Sequence, residues 1–142
     1  MRSMASCRLV TNNPLCREIF TDVCPVLFVE AETCTDMLLR IRDMVYSGYR
    51  LYTHPLSGSV KPNETRYKSV LLSRERQQNV SEEDVLMIAD AVTAAEKLRK
   101  KELPTDGKIL ADLQLIDYTL IAGAMDFDAA EGLARLRENK NK

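Results

Sequence analysis

The chain has 142 residues, 45% of them apolar and 29% charged, with a formal net charge of −1 and a sequence pI of about 5.9. That composition suits one soluble domain with a sizeable core and excludes the low-hydropathy, high-charge profile of a disordered chain. It supplies no global basic field for nucleic acid or anionic lipid, and no apolar run approaches the ~20 residues of a membrane span.

Cys7 to Thr11 reads as a short strand, closed by Asn12-Asn13-Pro14. Asn13 is a good N-cap and Pro14 suits the first helical position, so a short helix is expected from Pro14 to about Phe20. Cys24-Pro25 then interrupts the chain, and Val26-Leu27-Phe28-Val29 reads as a strand covered on both faces. A longer helix follows, capped by Thr33 or Thr35. Asp36 lies near its positive end, Met37, Leu38, Ile41, Met44 and Val45 form its apolar stripe, and Gly48 ends it. The stripe is core spacing, not a cofactor box. Arg50-Leu51-Tyr52-Thr53 is expected to be a third strand and Ser69 to Ser73 a fourth, with a long loop over 54–68 between them.

Beyond Val80 the periodicity becomes helical. Ser81 caps a helix that opens on Glu82, Glu83 and Asp84, and the cations Lys97, Arg99, Lys100 and Lys101 form its solvated far end. After a turn at Leu103 to Gly107, a second helix spans about Lys108 to Met125. Asp128 with Glu131 caps a last short helix with a basic tail. The reading is a single α/β domain over 1–142: a strand-and-helix part (7–80) and an all-helical C-terminal third (81–138). The small four-stranded sheet is expected to be mainly parallel, with flanking helices in Rossmann-like layers; no helix joins the fourth strand to the third, which leaves it open to pair antiparallel or to return through the loop.

Cys7, Cys16, Cys24 and Cys34 form no Cys-x-x-Cys pair, so buried thiols are expected rather than a zinc site, and no metal or cofactor is assigned. Cys16 stands apart, because the first turn of a helix can lower a thiol pKa. The amino-terminal residues lack the apolar core of a signal peptide, which reads as cytoplasmic.

The 54–68 loop carries most of the recognition chemistry. It holds the only histidine, His54, two of the five prolines, hydroxyls at Ser57, Ser59 and Thr65, the amide of Asn63, and the ammoniums of Lys61 and Lys68. Loops of this length inside a compact domain tend to be functional or disordered, and the flanking apolar strands argue against disorder. Ligands of open parallel sheets bind beyond the carboxyl ends of strands, which places Thr11, Asn12 and Asn13 near the same site, with Glu30 as a weak ribose-type acid. Ser57-Gly58-Ser59 is either an anion-binding nest or an ordinary turn, and no Walker A motif is present. His54 is a candidate acid or base, or a brace that hydrogen-bonds the loop to itself. A Cys16–His54 nucleophile and base pair would need the two segments to meet.

Leu9-Val10-Thr11-Asn12-Asn13-Pro14-Leu15, followed by Thr53-His54-Pro55-Leu56-Ser57-Gly58-Ser59-Val60-Lys61-Pro62-Asn63-Glu64-Thr65 and Tyr67-Lys68-Ser69, resembles the GrdX family. Its small members are encoded beside glycine, sarcosine and betaine reductase components. The resemblance runs from Arg8 to about Leu98 and implies an accessory role in that metabolism, without an established chemistry. Cys16 does not match the family pattern. Three readings stay open. The first is a protein that holds a carboxylate, phosphate or acyl phosphate between the 11–14 and 53–68 segments. The second is a partner module for reductase components, or a homodimer through the C-terminal helices. The third is a small enzyme using His54.

Overall fold

The computed structural model describes residues 6–56, 60–98 and 102–141. The first strand, β1 (Cys7–Thr11), runs into helix α1 (Pro14–Phe20), and the chain returns as β2 (Val26–Phe28) parallel to β1. Asn13 is the α1 N-cap, its side chain accepting from Leu15 N, with Pro14 in the first turn. Helix α2 (Cys34–Tyr46) begins at Thr33, whose hydroxyl accepts from Asp36 N at 3.0 Å. Gly48 ends that region with φ of 111°, and a Cβ there would stand 2.8 Å from the Gln77 carbonyl oxygen. Only glycine fits both the angle and the space.

Strand β3 (Ser69–Ser73) pairs antiparallel with β1, from Cys7 opposite Ser73 to Thr11 opposite Ser69. Among the described residues the sheet therefore has three strands, in the order β2-β1-β3. This corrects the expected four-stranded, mainly parallel, Rossmann-like sheet: one strand pair is parallel and the other antiparallel. The expected third strand is reduced to a bridge between Leu51 and Leu72. The bridge keeps two backbone bonds, Tyr52 N to the Leu71 carbonyl (2.8 Å) and Ser73 N to the Arg50 carbonyl (2.9 Å), while side chains claim the flanking amides. Arg50 N donates to Ser73 Oγ (2.9 Å), Leu51 N to Asp84 Oδ2 (2.9 Å), and Thr53 Oγ1 accepts from Leu71 N (3.0 Å). With the amides on either side of those bonds taken by side chains, the pairing does not extend into a regular ladder.

Both faces of the sheet are covered. Val10, Val70 and Leu72 face α2 and helix α3 (Glu82–Lys97), where Met37, Leu38, Ile41, Ile88 and Val92 complete one core. Leu9, Leu71 and Cys7 face the other way, onto Cys16 and Phe20 of α1 and onto Tyr118, Ile121 and Ala122 of helix α4 (Gly107–Ala124). Helix α5 (Ala129–Lys140), capped by Asp128, packs beside α1 and α4. The three C-terminal helices are thus divided between the two faces of the sheet. Asp84 has a second task besides its place in the first turn of α3: nearly buried, it also ion-pairs with Arg50 Nε at 2.8 Å. No helix among the described residues is long and apolar enough to cross a membrane.

Candidate functional site

At the carboxyl end of β1 the chain buries three polar residues in a row. Thr11, Asn12 and Asn13 are 0%, 5% and 0% exposed, so each must be satisfied by the protein or by a ligand. Asn12 ties two segments together: its Nδ2 donates to the carbonyls of Ala31 (3.0 Å) and Arg66 (2.7 Å), and its Oδ1 accepts from Lys68 N (2.9 Å). The 11–13 segment and the end of the long loop are therefore joined through backbone groups.

Thr11, Asn13 and Ser69 converge on Asp117 of α4. Ser69 Oγ donates to Asp117 Oδ2 at 2.7 Å, which spends its only proton, so Thr11 Oγ1 donates to Ser69 across their 2.7 Å contact. Thr11 in turn accepts from Asn13 N (2.9 Å), and Asn13 Nδ2 donates to Asp117 Oδ2 (3.0 Å) and to the Gln114 carbonyl (2.9 Å). The polar groups expected to receive an anion near α1 thus meet a carboxylate of the chain itself. Asp117 is one of the residues the sequence reading missed. Its only signal was an acid one turn beyond Gln114 on a mainly apolar helix whose other acid is Asp112.

Cys16 lies in this cluster, fully buried, with its thiol 3.8 Å from Asp117 Oδ2 and 3.6 Å from Ser69 Oγ. Burial, reinforced by the Asp117 charge, pushes the Cys16 thiol far above its ordinary value. The expected activation by the α1 N-terminus is therefore reversed, and Cys16 is no thiolate nucleophile at neutral pH. Cys34, at the start of α2, is pushed up to about 11, mainly by burial, with Lys68 opposing the shift and Asp117 adding to it.

A small cleft of about 20 Å³ opens between the loop and α4, lined by Val60, Thr65, Tyr67, Lys68, Leu113, Ile116, Asp117 and Leu120. Lys68 is buried, at 9% exposure, and among the described residues no carboxylate forms an ion pair with its ammonium. Tyr67 OH accepts from Gln114 Nε2 (2.9 Å) and Thr65 Oγ1 accepts from Tyr67 N (3.2 Å), so both hydroxyls keep a proton to donate. Neither residue has a protein acceptor for that proton among the described residues.

The remaining candidates lie further out. Lys61 is exposed and Asn63 half-buried, with Asn63 lining a larger cleft of about 490 Å³ between the start of α2 and the end of α3. That cleft is bigger but carries the carboxylates of Asp36 and Glu96, the wrong sign for an anion. His54 is exposed, and its Nδ1 accepts from Leu56 N at 3.0 Å, a contact that braces the turn. Ser57, Gly58 and Ser59, with Arg99, Lys100 and Lys101, fall outside the described residues. Among the described residues no group of three His, Cys, Asp or Glu side chains is arranged to hold a metal ion.

The family model described as GrdX-like protein matches residues 8–126. No curated protein and no solved structure matches the chain.

Proposed function

The chain belongs to the GrdX-like family, and on that premise we propose an accessory protein of glycine, sarcosine or betaine reductase metabolism that holds a small anion in the cleft between the end of the long loop and α4. The observation that carries this reading is Lys68: an ammonium on a buried side chain, with no ion-pair partner among the described residues, lining a cleft beside two hydroxyls. The ammonium opens onto the cleft, where a bound anion would give it a charge partner. In this reading Thr11, Asn12 and Asn13 hold the loop and Asp117 in place, and Thr65 and Lys68 touch the ligand. Lys61 and Asn63 form the outer approach. No chemistry is routed through His54, whose Nδ1 is already taken.

Thermal-shift titration tests it. Acetate, phosphate or acetyl phosphate that binds should raise the melting temperature as its concentration passes the dissociation constant. Lys68→Met should abolish that response, and Lys61→Ala should weaken it less. If no anion shifts the parent, the reading fails.

A second reading has its own observation. Ile109, Leu115, Ile116 and Leu120 of α4 are 40–48% exposed, which favours a module that docks reductase components or a second copy.

A further inference from the structure

Resting on the anion reading and narrowing it, we propose that the Lys68 cleft takes the carboxylate of an organic acid whose carbon chain runs out over Ile116 and Leu120. Three donor-bearing side chains line the cleft, Thr65, Tyr67 and Lys68, all at least nine-tenths buried. None of their remaining protons has a protein acceptor among the described residues. That set suits the two oxygens of a carboxylate, each of which accepts more than one hydrogen bond.

Size and charge favour a carboxylate over a phosphate. About 20 Å³ suits a flat two-oxygen head better than a tetrahedral oxyanion. Asp117 also lines the cleft, and although its Oδ2 is engaged by Ser69 and Asn13, its charge opposes that of any ligand. One ammonium beside one carboxylate tolerates a monoanion far better than a dianion.

The rim explains the rest of the ligand. Val60, Leu113, Ile116 and Leu120 border the same opening, and Ile116 and Leu120 are 40% and 41% exposed. A ligand whose head reaches Lys68 must therefore leave its carbons against apolar side chains, and covering them is favourable.

The test uses the full chain, labelled with ¹⁵N, titrated separately with acetate, butyrate, hexanoate and inorganic phosphate. Amide shifts should move at Thr65, Tyr67, Lys68 and residues 113–120. Affinity should rise roughly two- to fourfold per added methylene until the apolar rim is covered. Lys68→Met should weaken hexanoate by about tenfold or more, and Ile116→Asp should weaken hexanoate more than acetate. Should Lys68→Met fail to fold, the chain-length series and Ile116→Asp decide alone. Equal affinity along the series, or phosphate binding tighter than hexanoate, overturns the carboxylate assignment while leaving the anion reading intact. No shift with any probe removes both, and leaves Lys68 as a distant counter-charge to Asp117.

Discussion

Burial dominates the chemistry of this chain at the scale of single residues. Its four cysteines are buried, and none is in a disulfide. Burial moves Cys24 and Cys34 from 9.0 up to about 11, and Tyr118 from 10.0 up to about 12. Each is an acid whose neutral form the fold prefers, so its folded value lies above its unfolded one. The stabilisation is complete below the unfolded value and is lost as pH rises through the folded one. Stability should therefore hold from neutrality to about pH 9, then fall as the unfolded chain ionises its thiols and, above about pH 10, its tyrosines. Urea midpoints measured at about pH 7, 9 and 11 check the direction, and Cys34→Ala should flatten the decline. Alkylation at about pH 8 should leave Cys16 unlabelled until urea is added. Rapid labelling of native Cys16 would contradict its burial beside Asp117.

Among the secondary-structure elements, helix ends were the most legible in the sequence. Asn13, Thr33, Ser81 and Asp128 each cap a helix by accepting a backbone N–H, as their residue types predict. The strand at Arg50–Thr53 was not legible, because its fate depends on Asp84, 33 residues beyond Leu51, claiming its amide. The candidate site divides the same way. Thr65 and Lys68 stand out in the loop, whereas Asp117 and Gln114 reach Asn13 from more than 100 residues away. Glycines of two kinds test how the last helices dock. At Gly132 a Cβ would collide with the Tyr118 hydroxyl, lie 2.8 Å from Phe127 Cε1 and 3.0 Å from Ile19 Cγ2. Tyr118 could yield only by disturbing its 2.7 Å bond to the Ala129 carbonyl. Gly132→Ala should cost about 1–3 kcal/mol despite the better helix propensity of alanine. Gly123 has nothing within 4 Å of an added Cβ, so Gly123→Ala should stabilise by about 0.5–1 kcal/mol. Chemical denaturation of both variants checks the contrast; equal and favourable effects would mean that α5 does not pack closely at Gly132.

For the molecule as a whole, α4 is the element least accounted for by its own fold. Tyr118, Ile121 and Ala122 point into the core, yet Ile109, Ile116 and Leu120 remain exposed on the opposite side with half-buried Leu113 between them. Their spacing of four, three and four residues makes one continuous stripe, the pattern of a helix that packs on both sides. A second copy laid antiparallel would set Leu113 against Ile116 and Ile109 against Leu120, apolar against apolar at every layer. A single-helix seam falls short of the ~1,000 Å² of a stable interface, so such pairing should be weak and concentration-dependent. Light scattering should then give the 16.1 kDa mass of one chain at low concentration and a rising average mass as concentration increases. Ile116→Asp should hold the protein at the single-chain mass, because it places a charge inside the seam. The same variant separates the two uses of the stripe. If α4 docks a reductase component instead, the parent should stay monomeric yet co-purify with that component, and Ile116→Asp should lose it. A parent that stays monomeric at the highest concentrations and retains no reductase component would end the partner reading, and would leave the stripe to the ligand above Lys68.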